Sequence, residues 1–139
     1  MKSTLLWIML VGTMPLFAQT SGKALFEEKC TLCHMKEKPT PQTRDNMLAP
    51  PAMGVMFNLK SAFKNDKKAT LAFMRDYIME PSADKAKCLP QAIKRFGIMP
   101  SLKGTLTPQE VALITEYMYD TFPPNGFQHN NQAGMMQKQ

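Results

Sequence analysis

Two thiols and an imidazole fall within five residues of this chain. Cys30, Cys33 and His34 stand in "EEKCTLCH", a spacing that permits three chemistries. Zinc asks for about four ligands, usually supplied as two closely spaced pairs. The remaining Cys88 and His129 stand alone, in unrelated contexts. A thioredoxin-like disulfide asks for a strand just before its CxxC, and nothing ahead of Cys30 reads as one. Haem asks for two thiols on one side of a helical turn, with a histidine beside them. Positions i and i+3 of a helix share a side. Cys30 and Cys33 can therefore add to the two vinyl groups on one edge of a haem, with His34 held under the iron as proximal ligand. Its other ring nitrogen then needs a carbonyl to fix the ring, and a proline carbonyl in "APPAMG" is a candidate.

Haem iron has a second axial position. Only two histidines exist, and His129 lies near the end of the chain. There are 13 methionines. Those at helical spacing (Met56, Met74, Met118) read as core filler. Met99 differs: it sits in "FGIMPSLKG", where Pro100 forces an extended backbone and lets the sulfur project from the chain. Met53, in "APPAMG", is the runner-up, and an open iron is the further alternative. Cys88 is then spare among three cysteines. It reads as a small buried apolar residue, an inter-chain disulfide partner or a reactive thiol.

The elements that must position these groups are helical. Alternating apolar and polar runs are nearly absent and β-branched residues are scarce, so the class is all-α. Helices are expected over 21–33, with Ser21 as cap and Glu27 and Glu28 early enough to suit the dipole; over 53–64; over 66–80, ended by Pro81; and over 107–121. The last opens on a capping box, with Thr107 as N-cap, Pro108 at N1 and Glu110 at N3. Residues 82–97 read as one or two short helical turns stopped by Gly97. Four prolines make 35–54 a loop, and 98–105 is another.

The chain's 139 residues suit one small domain. Lys2, the apolar run "LLWIMLV" and small Ala18 read as an export signal over 1–18, cleaved after Ala18, with an uncleaved anchor as the alternative. This implies the periplasm, where haem attachment of this kind takes place. The domain would span 19–122 and a disordered tail 123–139. The formal charge of +6 falls by one without Lys2. No run of cations with interleaved aromatics points to nucleic acid. The basic balance suits an acidic protein partner or an anionic surface, with at most peripheral membrane association.

From about Gly22 to Tyr119 the chain resembles class I monohaem cytochromes c. "GKALFEEKCTLCH" looks like the family's first helix, with Gly22, Phe26 and Cys30 four apart. "LITEYM" (113–118) resembles its last helix. The resemblance implies that Gly22 lets these helices cross closely, that Phe26 packs beside them against Ile114 and Tyr117, and that these residues help hold the haem. "LAPPAMGV" is similar to the loop whose proline, Pro50 or Pro51, holds the proximal histidine. "IMPSLKGTLTPQEV" resembles the distal methionine loop. The 34–50 span is long for the family, and Cys88 and the residues beyond Pro124 are additions.

A six-coordinate haem c held by His34 and Met99 implies a non-enzymatic periplasmic electron carrier serving a terminal oxidase or peroxidase of a respiratory chain. The alternative is a haem subunit of a larger oxidoreductase, for example one oxidising reduced sulfur compounds. A gas-binding or peroxidatic protein would need the open iron. Between 85 and 109 the chain carries Lys85, Lys87, Lys94, Arg95 and Lys103 and no acid. A basic face including Lys94, Arg95 and Lys103 would steer an acidic redox partner.

Overall fold

The computed structural model describes residues 21–127. The export signal expected over 1–18, and the part of the expected tail from 128 onward, lie outside them. The described residues form six helices and no strand: α1 (Gly22–Lys29), α2 (Pro41–Arg44), α3 (Ala52–Ala62), α4 (Lys67–Met79), α5 (Pro90–Phe96) and α6 (Pro108–Thr121). The all-α expectation holds. None of these helices is long and apolar enough to cross a membrane.

Local chemistry sets the helix starts. Ser21 accepts a hydrogen bond from the Ala24 amide at 3.1 Å and opens α1. Asp66 accepts from the Ala69 amide at 3.0 Å and opens α4. The capping box of α6 is complete: the Glu110 amide donates to Thr107 Oγ1 at 3.2 Å, and the Thr107 amide donates to Glu110 Oε2 at 2.8 Å. These bonds hold the Glu110 carboxyl below its usual range, the backbone donor acting most strongly.

Two expectations need correction. The first helix ends at Lys29 and not at Cys33, so Glu27 and Glu28 lie in its last turn, the end at which the dipole disfavours anions. Lysines offset this: Glu27 pairs with Lys36 at 2.8 Å and Glu28 with Lys29 at 2.6 Å. The 35–54 stretch is not wholly loop. Thr40 and Thr43 form a second capping box, with Pro41 at the start of the short α2, and α3 already begins at Ala52 behind Pro51. A proline at N1 favours a helix start, which is why a proline-rich stretch can still contain one.

The core lies where α1 crosses α6, with α3 and α4 packed on α6. Phe26, Met56 and Ile114 are fully buried there, with Leu25, Ala52, Val111 and Met118 around them. The crossing is close because Gly22 has no side chain. A methyl group there would overlap the Leu113 carbonyl, 2.7 Å from its carbon, and stand 3.0 Å from Tyr117 Cβ. One turn on, the Phe26 ring packs 5.6 Å from both Tyr117 and Phe122. This is the contact expected of Gly22 and Phe26 with the Ile114–Tyr117 face.

The obstacle at Gly22 is mostly backbone, which yields less readily than a side chain. Gly22→Ala should therefore lower stability by about 1–3 kcal/mol through overpacking. A thermal melt should show a reduced Tm, and a melt like that of the wild type would mean that the crossing is looser than described.

Candidate functional site

The thiols and the imidazole sit just past the end of α1. The Cys30 amide bonds to the Phe26 carbonyl at 2.9 Å and the His34 amide to the Cys30 carbonyl at 2.8 Å. The chain thus keeps a helical turn through the motif, although the regular helix has stopped. Cys30, Cys33 and His34 all line one apolar cavity of about 210 Å³. Burial, helped by the nearby Cys33, pushes the Cys30 thiol up to about 11. It is a neutral S–H at physiological pH.

His34 Nδ1 lies 2.7 Å from the Pro50 carbonyl oxygen. A carbonyl only accepts, so Nδ1 carries the hydrogen, and in the neutral ring the lone pair is on Nε2. Burial lowers the pKa of His34, and the Pro50 bond opposes this only in part. The ring is therefore the neutral imidazole that a metal binds. The loop bringing Pro50 to it is tied at the Ala52 amide, which bonds to the Met35 carbonyl at 2.9 Å.

Met99 reaches the same cavity from a different loop. Helix α5 stops at Gly97, whose φ of 72° and ψ of −160° are backbone values open to glycine. Beyond it the Leu102 amide bonds to the Ile78 carbonyl at 3.1 Å and Ser101 Oγ donates to the Met79 carbonyl, which hang the loop on the end of α4. Met53 is absent from the cavity lining and packs on the core instead. Met74 and Met118 do line it, but each is held in the buried cluster by its helix.

Of the other expected haem contacts, Pro50 lines the cavity and Pro51 does not; Pro51 serves as N-cap of α3. Gly22, Phe26 and Tyr117 stand in the α1–α6 crossing behind the cavity wall, not at its surface. Their part is to bring Ile114 and Met118, which do line it, against α1. Sequence reading missed Phe73, Tyr77, Ile93 and Phe96 as lining residues. Their helical spacing signals an inward face, but not whether that face meets side chains or a cavity. Cys88 is half-buried on the same wall, and burial raises its thiol pKa.

The basic stretch is less bare than its sequence implied. Lys85 pairs with Asp76 at 2.8 Å and Lys103 with Glu80 at 2.8 Å, both acids coming from α4 and its cap. The Arg95 guanidinium donates to the Arg44 carbonyl and lies 4.8 Å from the centre of the Phe96 ring.

The residues fit a haem. Two thiols on one turn, an imidazole locked by its far nitrogen and a soft thioether from a separate loop converge on an apolar cavity. With the helical fold, this site defines a cytochrome c, a class of haem-binding electron-transfer proteins. The chain belongs to the family described as "Cytochrome C oxidase, cbb3-type, subunit III", whose model matches residues 17–118. It is also similar to a protein of Aquifex aeolicus (strain VF5) described as uncharacterized. That relative is 28% identical over 134 residues, covering 84% of this chain and 87% of the relative. No solved structure matches the chain.

The Met99 loop starts from the backbone of Gly97. Gly97→Ala should destabilise the protein by about 1–3 kcal/mol, the cost of a side chain at those angles. Gly54→Ala, inside α3 with no atom near its new methyl, should instead stabilise by about 0.5–1 kcal/mol. Denaturant unfolding of the two variants checks the contrast. Equal midpoints would show that Gly97 imposes no constraint.

Proposed function

We propose that this chain is an exported class I cytochrome c that carries single electrons in the periplasm. Its haem is attached at Cys30 and Cys33 and ligated by His34 and Met99. The observation that carries the reading is the meeting of these four side chains in one apolar cavity, with His34 Nδ1 donating to the Pro50 carbonyl.

The bound haem supplies a one-electron iron couple, and the chain's residues tune and shield it. Cys30 and Cys33 would hold the haem covalently, each as a thioether to one of its vinyl groups. His34 would offer Nε2 to the iron, with the Pro50 carbonyl keeping the ring from turning. The Met99 thioether is a soft neutral donor that favours ferrous iron and raises the potential. The apolar wall of Phe73, Ile93, Phe96 and Leu106 keeps water from the haem face. With His34 and Met99 both used as ligands, no site would be left for a substrate, which suits a carrier and not an enzyme.

The partner is a redox protein with an acidic face. Lys94 and Arg95, on the helix that lines the cavity, would meet it. Lys103 contributes less, because Glu80 already shares its charge. Such steering fades with salt. A second reading draws support from the family's description as an oxidase subunit. In that reading the chain is the haem-bearing member of a larger periplasmic oxidoreductase. Size exclusion of the native protein separates the two: a monomer fits the carrier and a stoichiometric complex the subunit.

Acidic organic solvent should leave the colour on the denatured chain; colour that extracts would end the covalent reading. In the oxidised wild type a weak absorption near the red end should report sulfur on iron. Met99→Ala should lose that band, lower the midpoint potential and admit carbon monoxide to the reduced form. Met53→Ala should keep all three wild-type properties. The reverse pattern would assign the ligand to Met53.

A further inference from the structure

The loop between His34 and Pro50 and helix α5 stand apart from the packed helices. Among the described residues neither α2, which lies in that loop, nor α5 packs against another helix. Both nevertheless border the main cavity. Leu48, Ala49 and Pro50 line it from the loop, and Ala92, Ile93 and Phe96 line it from α5. Leu48 lines the cavity and is still 65% exposed, which puts the loop at the cavity mouth.

The loop is anchored at its two ends. Lys36 pairs with Glu27, the Ala52 amide bonds to the Met35 carbonyl, and the Pro50 carbonyl holds His34. Between 37 and 49, among the described residues, one hydrogen bond leaves the loop: the Arg95 guanidinium donates to the Arg44 carbonyl. That carbonyl ends α2 and otherwise receives only the Met47 amide, at 3.4 Å. A charged donor suits such an end. Arg95 is placed for it by the Phe96 ring, 4.8 Å from the guanidinium carbon to the ring centre. A flat cation can lie over a ring and still donate from its edge. On the α5 side the same bond stands alone: among the described residues no other hydrogen bond or ion pair ties this helix to a distant part of the chain.

The two ends of this bond lead to the two axial ligands. From Arg44 the chain runs on to Pro50, which fixes His34; from Arg95 it runs on through Gly97 to Met99. We propose that Arg95 is a positioning residue that clasps the 34–50 loop to α5 across the cavity mouth, so that the loops carrying Pro50 and Met99 open together. This rests on the haem ligation proposed above. A carbonyl is neutral, so the clasp uses the donor geometry of Arg95 and leaves its charge in place. Lys94 beside it carries an equal charge and, among the described residues, makes no such bond.

The test uses the full-chain holoprotein with Arg95→Met, and Lys94→Met as the control for charge. Two readings are taken: the affinity of the oxidised form for added imidazole, which must displace Met99, and amide hydrogen exchange at Asn46 and Met47 in the loop and at Ile93 and Gly97 in α5. Arg95→Met should tighten imidazole binding and quicken exchange in both segments by roughly three- to tenfold, the range expected for one net hydrogen bond in a local opening. Lys94→Met should keep wild-type values in both. Equal effects of the two variants, an unchanged imidazole affinity in Arg95→Met, or faster exchange in one segment alone would overturn the clasp. Failure of the underlying reading looks different: Met99→Ala would then bind imidazole no better than the wild type, whatever Arg95→Met does.

Discussion

The approach of α1 to α6 at Gly22 is the constraint on which the rest of the molecule depends. No side chain fits between the two backbones there. Because the helices meet so closely, Phe26 reaches Tyr117 and Phe122, and the end of α1 is set against Ile114 and Met118. The cysteines follow that end by one hydrogen-bonded turn. The place of the thiols on the cavity wall is thus inherited from a glycine eight residues earlier. Rigid transmission of this kind is what a helix offers and a loop does not.

The two loops facing the site are held by backbone bonds. Pro50 has no amide hydrogen, but its carbonyl is free to accept, and it does so from His34. The distal loop hangs from the carbonyls of Ile78 and Met79 at the end of α4, where a helix has no further internal use for them. Backbone acceptors do not titrate and lose little freedom on bonding. They suit a site whose geometry must stay the same through oxidation and reduction.

Charge is distributed by the same packing. Lys67 bridges Glu116 and Asp120, and Arg75 reaches Glu116, so the α4–α6 face carries its own ion pairs. Being exposed, these contribute little to stability. Their consequence is electrostatic: cations on that face are already matched, as are Lys85 and Lys103. The unpaired cations of the basic stretch are those nearest α5.

The sequence by itself determined the local rules. CxxCH reads as haem chemistry because two thiols three apart share a side of any helical turn. The Thr107–Glu110 capping box fixed the start of α6 within a residue, since its partners are neighbours in the chain. The Pro100 constraint set Met99 apart from twelve other methionines. What lay beyond local rules was decided by tertiary structure. The pairing of Lys103 with Glu80 spans 23 positions, so an acid-free stretch could not reveal it. The place of Phe73, Tyr77, Ile93 and Phe96 on the cavity wall could not be read either, because a face of a helix is visible in sequence while the cavity it borders is not. The roles of Gly22, Phe26 and Tyr117 shifted for the same reason. The family resemblance implied that they pack together, and only the three-dimensional arrangement put that packing behind the cavity wall and not on it. Spacing along a chain specifies direction from a helix axis; what stands in that direction is set by where the other helices come to rest.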